Sequence, residues 1–160
     1  MLEASTLLAD NKKDLYKELN VMLAGLIGEE SDCLANAANA AALLYQMLPD
    51  INWAGFYLMK AGQLVLGPFQ GKPACVRIQI GKGVCGTAAS TGEIQQFPGH
   101  ITCDAASRSE IVLPLFQNGR LIGVLDIDSP IKARFDNQDA EGLSGYAQIL
   151  NQHIKWPNWD

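Results

Sequence analysis

No uncharged stretch of the chain is long enough to span a bilayer. The longest, Cys33 to Pro49, contains Asn36, Asn39 and Gln46 and falls short of the roughly 20 apolar residues that a membrane helix needs. Basic charge is scarce: 12 Lys and Arg stand against 17 Asp and Glu, a formal net charge of −5. The electrostatic footprint of nucleic-acid binding is therefore missing. There are only two histidines, and no CxxC pair among Cys33, Cys75, Cys85 and Cys103, whose spacings are 42, 10 and 18 residues. That argues against a zinc ribbon or finger, and no metal is expected. The start, Met1-Leu2-Glu3-Ala4-Ser5, carries an early acid and no basic region, unlike a secretion signal. Repeats, low-complexity tracts and Pro/Ser-rich linkers are absent as well. These features predict a soluble, cytoplasmic chain with no nucleic-acid or membrane partner. Its thiols, in a reducing compartment, are core filler or redox chemistry.

The 160 residues are 48% hydrophobic and 18% charged, a globular composition sufficient for one core. We expect a single domain over 1–160, with its core at about 15–150. From Asp10 to Glu29, Leu15, Leu19, Met22, Leu23 and Leu26 recur at helical spacing. Ser31 or Asp32 caps a second helix with the face Leu34, Ala37, Ala41, Leu44, Tyr45 and Leu48, and Pro49 stops it. Strand signals follow at Asn52–Met59, Leu64–Phe69 and Ala74–Ile80, then a short helical stretch at Val84–Ser90 and a short strand at Glu93–Gln96. Glu110–Phe116 and Arg120–Asp128 flank Asn118-Gly119, a strong hairpin signal. Asp136 caps a last helix with Leu143, Tyr146, Ala147, Leu150 and Ile154 on one face. Tight turns between strands imply an antiparallel sheet with helices segregated to one face, an α+β fold.

Gly81-Lys82-Gly83-Val84-Cys85-Gly86 spells G-x-G-x-x-G, but hairpins surround it where a dinucleotide fold needs parallel βαβ units. Its glycines serve a tight turn into a helix. Cys85 then falls in the first helical turn, a position that favours a thiolate. Cys103 lies in the polar stretch His100–Ser107, where reactivity is a better reading than packing. Cys75 reads as a packed strand thiol or, with Arg77 on the same face, as an activated one. Cys33 reads as core. In Leu125-Asp126-Ile127-Asp128 both carboxylates project from one strand face. Mutual repulsion and partial burial would keep one of them protonated near neutral pH; the bland reading is a solvated sheet edge. Glu110, on the hairpin partner, brings a third carboxylate towards the same face. Trp53 and Tyr57 alternate onto one face of the first strand, as pocket walls or as core. An acidic, aromatic-walled pocket near thiols points to a small amino-bearing substrate and thiol redox chemistry. A Cys/His/Asp hydrolase fits less well, with only His100 as a base.

The segments Asn52–Leu58 (NWAGFYL), Leu64–Ile78 (LVLGPFQGKPACVRI), Gly81–Ala88 (GKGVCGTA), His100–Leu115 and Ile122–Ser129 (IGVLDIDS) together resemble the free methionine-R-sulfoxide reductases, enzymes built on a GAF domain. The resemblance runs from about Leu15 to Leu150. It implies a six-stranded antiparallel sheet with helices mainly on one face. It also implies reduction of free L-methionine (R)-S-oxide by a cofactor-free thiol mechanism. By resemblance Cys103 attacks the sulfoxide sulfur, a carboxylic acid serves the oxygen, and the resulting sulfenic acid condenses with a second thiol. Cys75 is the choice for that thiol, with Cys85 the alternative. Glu110, Asp126 and Asp128 bind the ammonium and the sulfoxide oxygen, and Trp53 packs against the S-methyl end, with Tyr57 a weaker choice. Thioredoxin, fed by NADPH, is the implied reductant, and a homodimer is compatible with the fold. The alternative is a non-catalytic GAF module sensing a small ligand; a thiol peroxide sensor would leave the carboxylates idle.

Between Ile94 and Phe97 the chain is several residues shorter than the family pattern. A true deletion would shorten the loop that carries Cys103 and its reach to the other cysteines; the favoured explanation is a mobile covering loop left out of the sequence there, which would leave flanking Cα atoms further apart than the usual spacing of about 3.8 Å. The tail Trp156–Asp160 lies outside the resemblance and has no assigned role.

Overall fold

The computed structural model describes residues 11–99 and 106–159. Six strands form one sheet: β1 (Trp53–Lys60), β2 (Gln63–Gly71), β3 (Arg77–Ile78), β4 (Gln95–Phe97), β5 (Ser109–Gln117) and β6 (Arg120–Ser129). Their order is β3-β2-β1-β6-β5-β4, and every pairing is antiparallel. Among the described residues four helices accompany them: α1 (Lys12–Ile27), α2 (Cys33–Met47), α3 (Gly83–Thr91) and α4 (Asn137–His153). The chain is α+β, as the tight turns imply. Asn118 and Gly119 both take positive φ, +52° and +76°, which a two-residue hairpin turn between twisted strands requires.

Alternation along the strands builds a separate core on each face of the sheet. Leu125 and Ile127 of β6, with Ile111, Leu113 and Leu115 of β5, pack against α1, α2 and α4. The opposite parity, Val124 and Val112 with Trp53 and Tyr57 of β1, packs against Cys85 and Ala88 of α3. The ends of the chain meet on the first face. Asp136 caps α4 in a capping box with Asp139, and Asp139 also accepts from Tyr16 Oη at 2.7 Å and Lys12 Nζ at 2.8 Å.

Several expectations need correction. In α2 the buried face is Asn36, Ala37, Ala40, Ala41, Leu43, Leu44 and Met47. Leu34 and Tyr45 are exposed, as is Leu26 of α1, because they sit at the edges of the apolar stripes rather than at their centres. The third strand shrinks to Arg77–Ile78, so Cys75 lies in a loop rather than on a strand and does not share a strand face with Arg77. Pro73, without an N–H, cannot extend that pairing. The segment Gln95–Phe97 forms β4 and pairs residue for residue with Val112, Ile111 and Glu110. The tail, too, is structured: Trp156 is buried beside Phe56, with centroids 5.9 Å apart, and exchanges backbone hydrogen bonds with the Gln117 side chain.

Candidate active site

Strand register assembles the site. Glu110 of β5 lies directly opposite Asp128 of β6, and Asp128 directly opposite Trp53 of β1. One row therefore carries two acids and an indole across three strands. In the next row Asp126 lies opposite Val112 on one side and Gly55 on the other. Like charges directly opposite are destabilising in a sheet, and here Glu110, Asp126 and Asp128 are all buried. Such a cluster weakens the fold unless it receives a ligand.

The three carboxylates line a cavity of about 550 Å³ together with Trp53, Tyr57, Cys75 and Cys85. Burial, then Asp128 and Glu110, push the Asp126 carboxyl well above its ordinary range. A carboxylic acid held neutral in this way can donate a proton or a hydrogen bond. The Oδ1 oxygen of Asp126 is buried with no hydrogen-bond partner among the described residues.

The aromatic wall is a stacked row. Trp53 stacks between Tyr57 and Phe69, with centroids 5.9 and 5.1 Å away. Its indole N–H donates to the Lys72 carbonyl at 3.1 Å. Gly71 takes a φ of +131°, and a Cβ there would lie 2.7 Å from the indole Cδ1, so this turn needs glycine. Tyr57 Oη donates to the Cys75 carbonyl at 2.8 Å. Burial, then Asp126, keep that hydroxyl protonated far above neutrality. Tyr57 thus ties the wall to the Cys75 loop.

The cysteines divide. Cys75 is disulfide-bonded, while Cys33 and Cys85 are free; Cys103 and His100 lie outside the described residues. The expectation that a helix N-terminus would favour a Cys85 thiolate is overturned. Cys85 is 4% exposed, and its thiol points at Glu110 Oε2, 3.7 Å away. Burial, then Asp126 and Glu110, push its pKa well above the usual thiol value. Desolvation and two acids outweigh a nine-residue helix's dipole.

The sequence reading passed over Lys72 and Lys82 on the cavity wall and took Arg77 only as a neighbour of Cys75. Lys72, Arg77 and Lys82 line the cavity and are exposed, whereas the acids are buried. Gln95, Gln96 and Phe97 of the short β4 line it too. No sequence periodicity marks these residues, because they converge from separate loops and an edge strand.

An antiparallel sheet with helices on one face and a ligand-sized cavity under a short helix on the other defines the class of protein: residues 32–154 match the GAF domain family. Among named relatives, free methionine-R-sulfoxide reductase of Escherichia coli is 55% identical over 139 residues, 83% of this chain and 84% of its own. The Saccharomyces cerevisiae free methionine-R-sulfoxide reductase is 44% identical, covering 89% and 87%. The structure of the Neisseria meningitidis enzyme in complex with its substrate superposes with a TM-score of 0.87 at 43% identity, over 91% of each chain. The chain belongs to the free methionine-R-sulfoxide reductase family of GAF-domain proteins. No helix among the described residues is long and apolar enough to cross a membrane.

Proposed function

We propose that this chain reduces free L-methionine (R)-S-oxide to methionine, with Cys103 as the attacking thiol and Cys75 as the resolving one. The observation that carries the reading is the charge gradient in the cavity. Three buried carboxylates and an indole lie at its floor, and exposed cations lie on its wall. A zwitterionic amino acid fits that gradient, its ammonium on Glu110, Asp126 and Asp128 and its carboxylate towards Lys72, Arg77 and Lys82. Trp53 offers an apolar face for the S-methyl group.

In the first step the Cys103 sulfur bonds to the sulfoxide sulfur, and a neutral carboxyl of the Asp126 cluster protonates the oxygen. Transfer of that oxygen as hydroxyl leaves methionine and a Cys103 sulfenic acid, so the substrate sulfur gains the two electrons that the thiol loses. The Cys75 thiol then displaces water from the sulfenic acid to form a disulfide, and an external dithiol, with thioredoxin the proposed carrier, reduces it by exchange. The disulfide-bonded state of Cys75 and the burial of Cys85 against Glu110 support Cys75 over Cys85 as the resolving thiol. No resident cofactor takes part in these steps. A cytoplasmic setting suits a thiol kept reduced between turnovers.

The test follows NADPH consumption with thioredoxin and its reductase on free methionine R-sulfoxide, the S epimer and a peptide-bound sulfoxide. Turnover of the R epimer alone is expected. Cys103→Ser should abolish it, and Cys75→Ser should release one methionine per chain without recycling. Full multiple turnover in Cys75→Ser would pass the resolving role to Cys85. Absence of turnover on every substrate, with thiols reduced, would leave a ligand-binding module.

A further inference from the structure

The floor of the cavity has a second chemistry. The Sγ of Cys85 and a carboxylate oxygen from each of Glu110 and Asp126 all lie within 4.8 Å of one another, and all three residues are buried. A tetrahedral zinc ion bound by one sulfur and one oxygen at ordinary bond lengths holds those two atoms about 3.6 Å apart. Cys85 Sγ and Glu110 Oε2 are 3.7 Å apart. Independently of that geometry, Asp126 Oδ1 is buried, belongs to the cavity wall and has no hydrogen-bond partner among the described residues.

We propose that Cys85, Glu110 and Asp126 form a binding site for a thiophilic divalent cation of the zinc type, which takes the place of the substrate's ammonium and inhibits the enzyme. The cation is a competitor and has no role in turnover. One thiol and two carboxylates give a mixed soft and hard donor set. Such a set suits zinc and disfavours magnesium, which takes oxygen ligands only and dehydrates reluctantly. Binding replaces the Cys85 thiol proton with the metal and releases that proton. The dication also relieves the repulsion between the buried Glu110 and Asp126 carboxyls. Ligation in this way uses Cys85, whose thiol the sulfoxide chemistry proposed above does not require.

The inference shares its cavity with the proposed function but is tested by binding alone. Isothermal titration of the full chain with Zn²⁺, keeping the Cys75 disulfide oxidised so that its sulfur is unavailable, is expected to show one ion per chain. Cys85→Ser and Asp126→Asn should each weaken it by at least about tenfold, the scale on which a zinc site responds to damage. Cys33→Ser should leave it unchanged, and free methionine should compete. Co²⁺ should give a thiolate charge-transfer band that Cys85→Ser removes, a readout that verifies the ligand even if the aspartate variant folds poorly. Absence of binding, retention of full affinity in Cys85→Ser, dependence on Cys33, or equal affinity for Mg²⁺ would each overturn the proposal. A chain that binds zinc but reduces no sulfoxide would sink the proposed function and leave this site standing.

Discussion

Asp126 occupies a β6 position between Leu125 and Ile127, both fully buried against the helices, and it is as much a folding problem as a functional group. Its folded-state pKa lies above the unfolded one, so the native state holds a proton that the unfolded chain has already lost. Stability tied to this residue is present at low pH and declines as pH rises through the ordinary carboxylate range towards the raised value. Asp126→Asn removes that slope, so the variant should gain on the parent in urea unfolding as pH rises above about 4. Parallel pH profiles would show that the carboxyl is not neutral in the fold. Tyr57 acts on a different step. Tyr57→Phe keeps the ring against Trp53 but loses the bond to the Cys75 carbonyl. Release of the first methionine should be little changed in single-turnover experiments, while disulfide formation slows by about tenfold, the worth of one ordinary hydrogen bond. Equal slowing of both steps would make Tyr57 a substrate contact rather than a positioning residue for the Cys75 loop.

Among the elements, the α1–α4 pair shows how a cap becomes a tertiary lock. Asp136 and Asp139 form the capping box that starts α4. Asp139, 1% exposed, also collects Lys12, Tyr16 and Arg134. The sequence announces the cap through Asp136. It does not announce that Asp139 is buried, because the α1 residues Lys12 and Tyr16 reach it only after the ends of the chain dock. Asp139→Ala strands these donors and should lower the unfolding free energy by about 3 kcal/mol, the low end of the cost of breaking a buried ion pair. Urea titration checks this, and a loss below about 1 kcal/mol would mean that the cluster behaves as a surface one. Strands follow the same logic. Asn118-Gly119 dictates its hairpin locally, whereas β3 stays at two residues because an edge strand beside Pro73 has little to pair with.

At the scale of the whole molecule, the sheet separates a helix-side core from a site-side core, and the tail seals the first. Trp156 packs on Phe56, and Lys60 Nζ lies 4.5 Å from the centre of the Trp159 ring. Trp156→Ala should cost about 3–5 kcal/mol of stability, the usual price of an emptied aromatic core position. Well below the unfolding temperature KM should not move, because the Trp53 cluster lies on the other face. A shift in KM at full folding would show that the two cores are coupled.

The sequence alone determined what depends on short range. Caps, periodicities and the Asn-Gly turn specify the main helices and strands, and the i, i+2 spacing of Asp126 and Asp128 puts both acids on one face. The three carboxylates, Trp53 and Tyr57 were legible as one pocket because period-two alternation and a hairpin register fix their parity before any packing. Tertiary structure decided the rest, wherever an energy depends on what arrives from elsewhere in the chain. Cys85 has the local setting of an activated thiol, and burial against Glu110 and Asp126 reverses it. Lys72, Arg77 and Lys82 carry no pattern of their own, and become cavity residues only when β2, β3 and α3 close around it. Desolvation and convergence are properties of the assembled fold, so no local pattern encodes them.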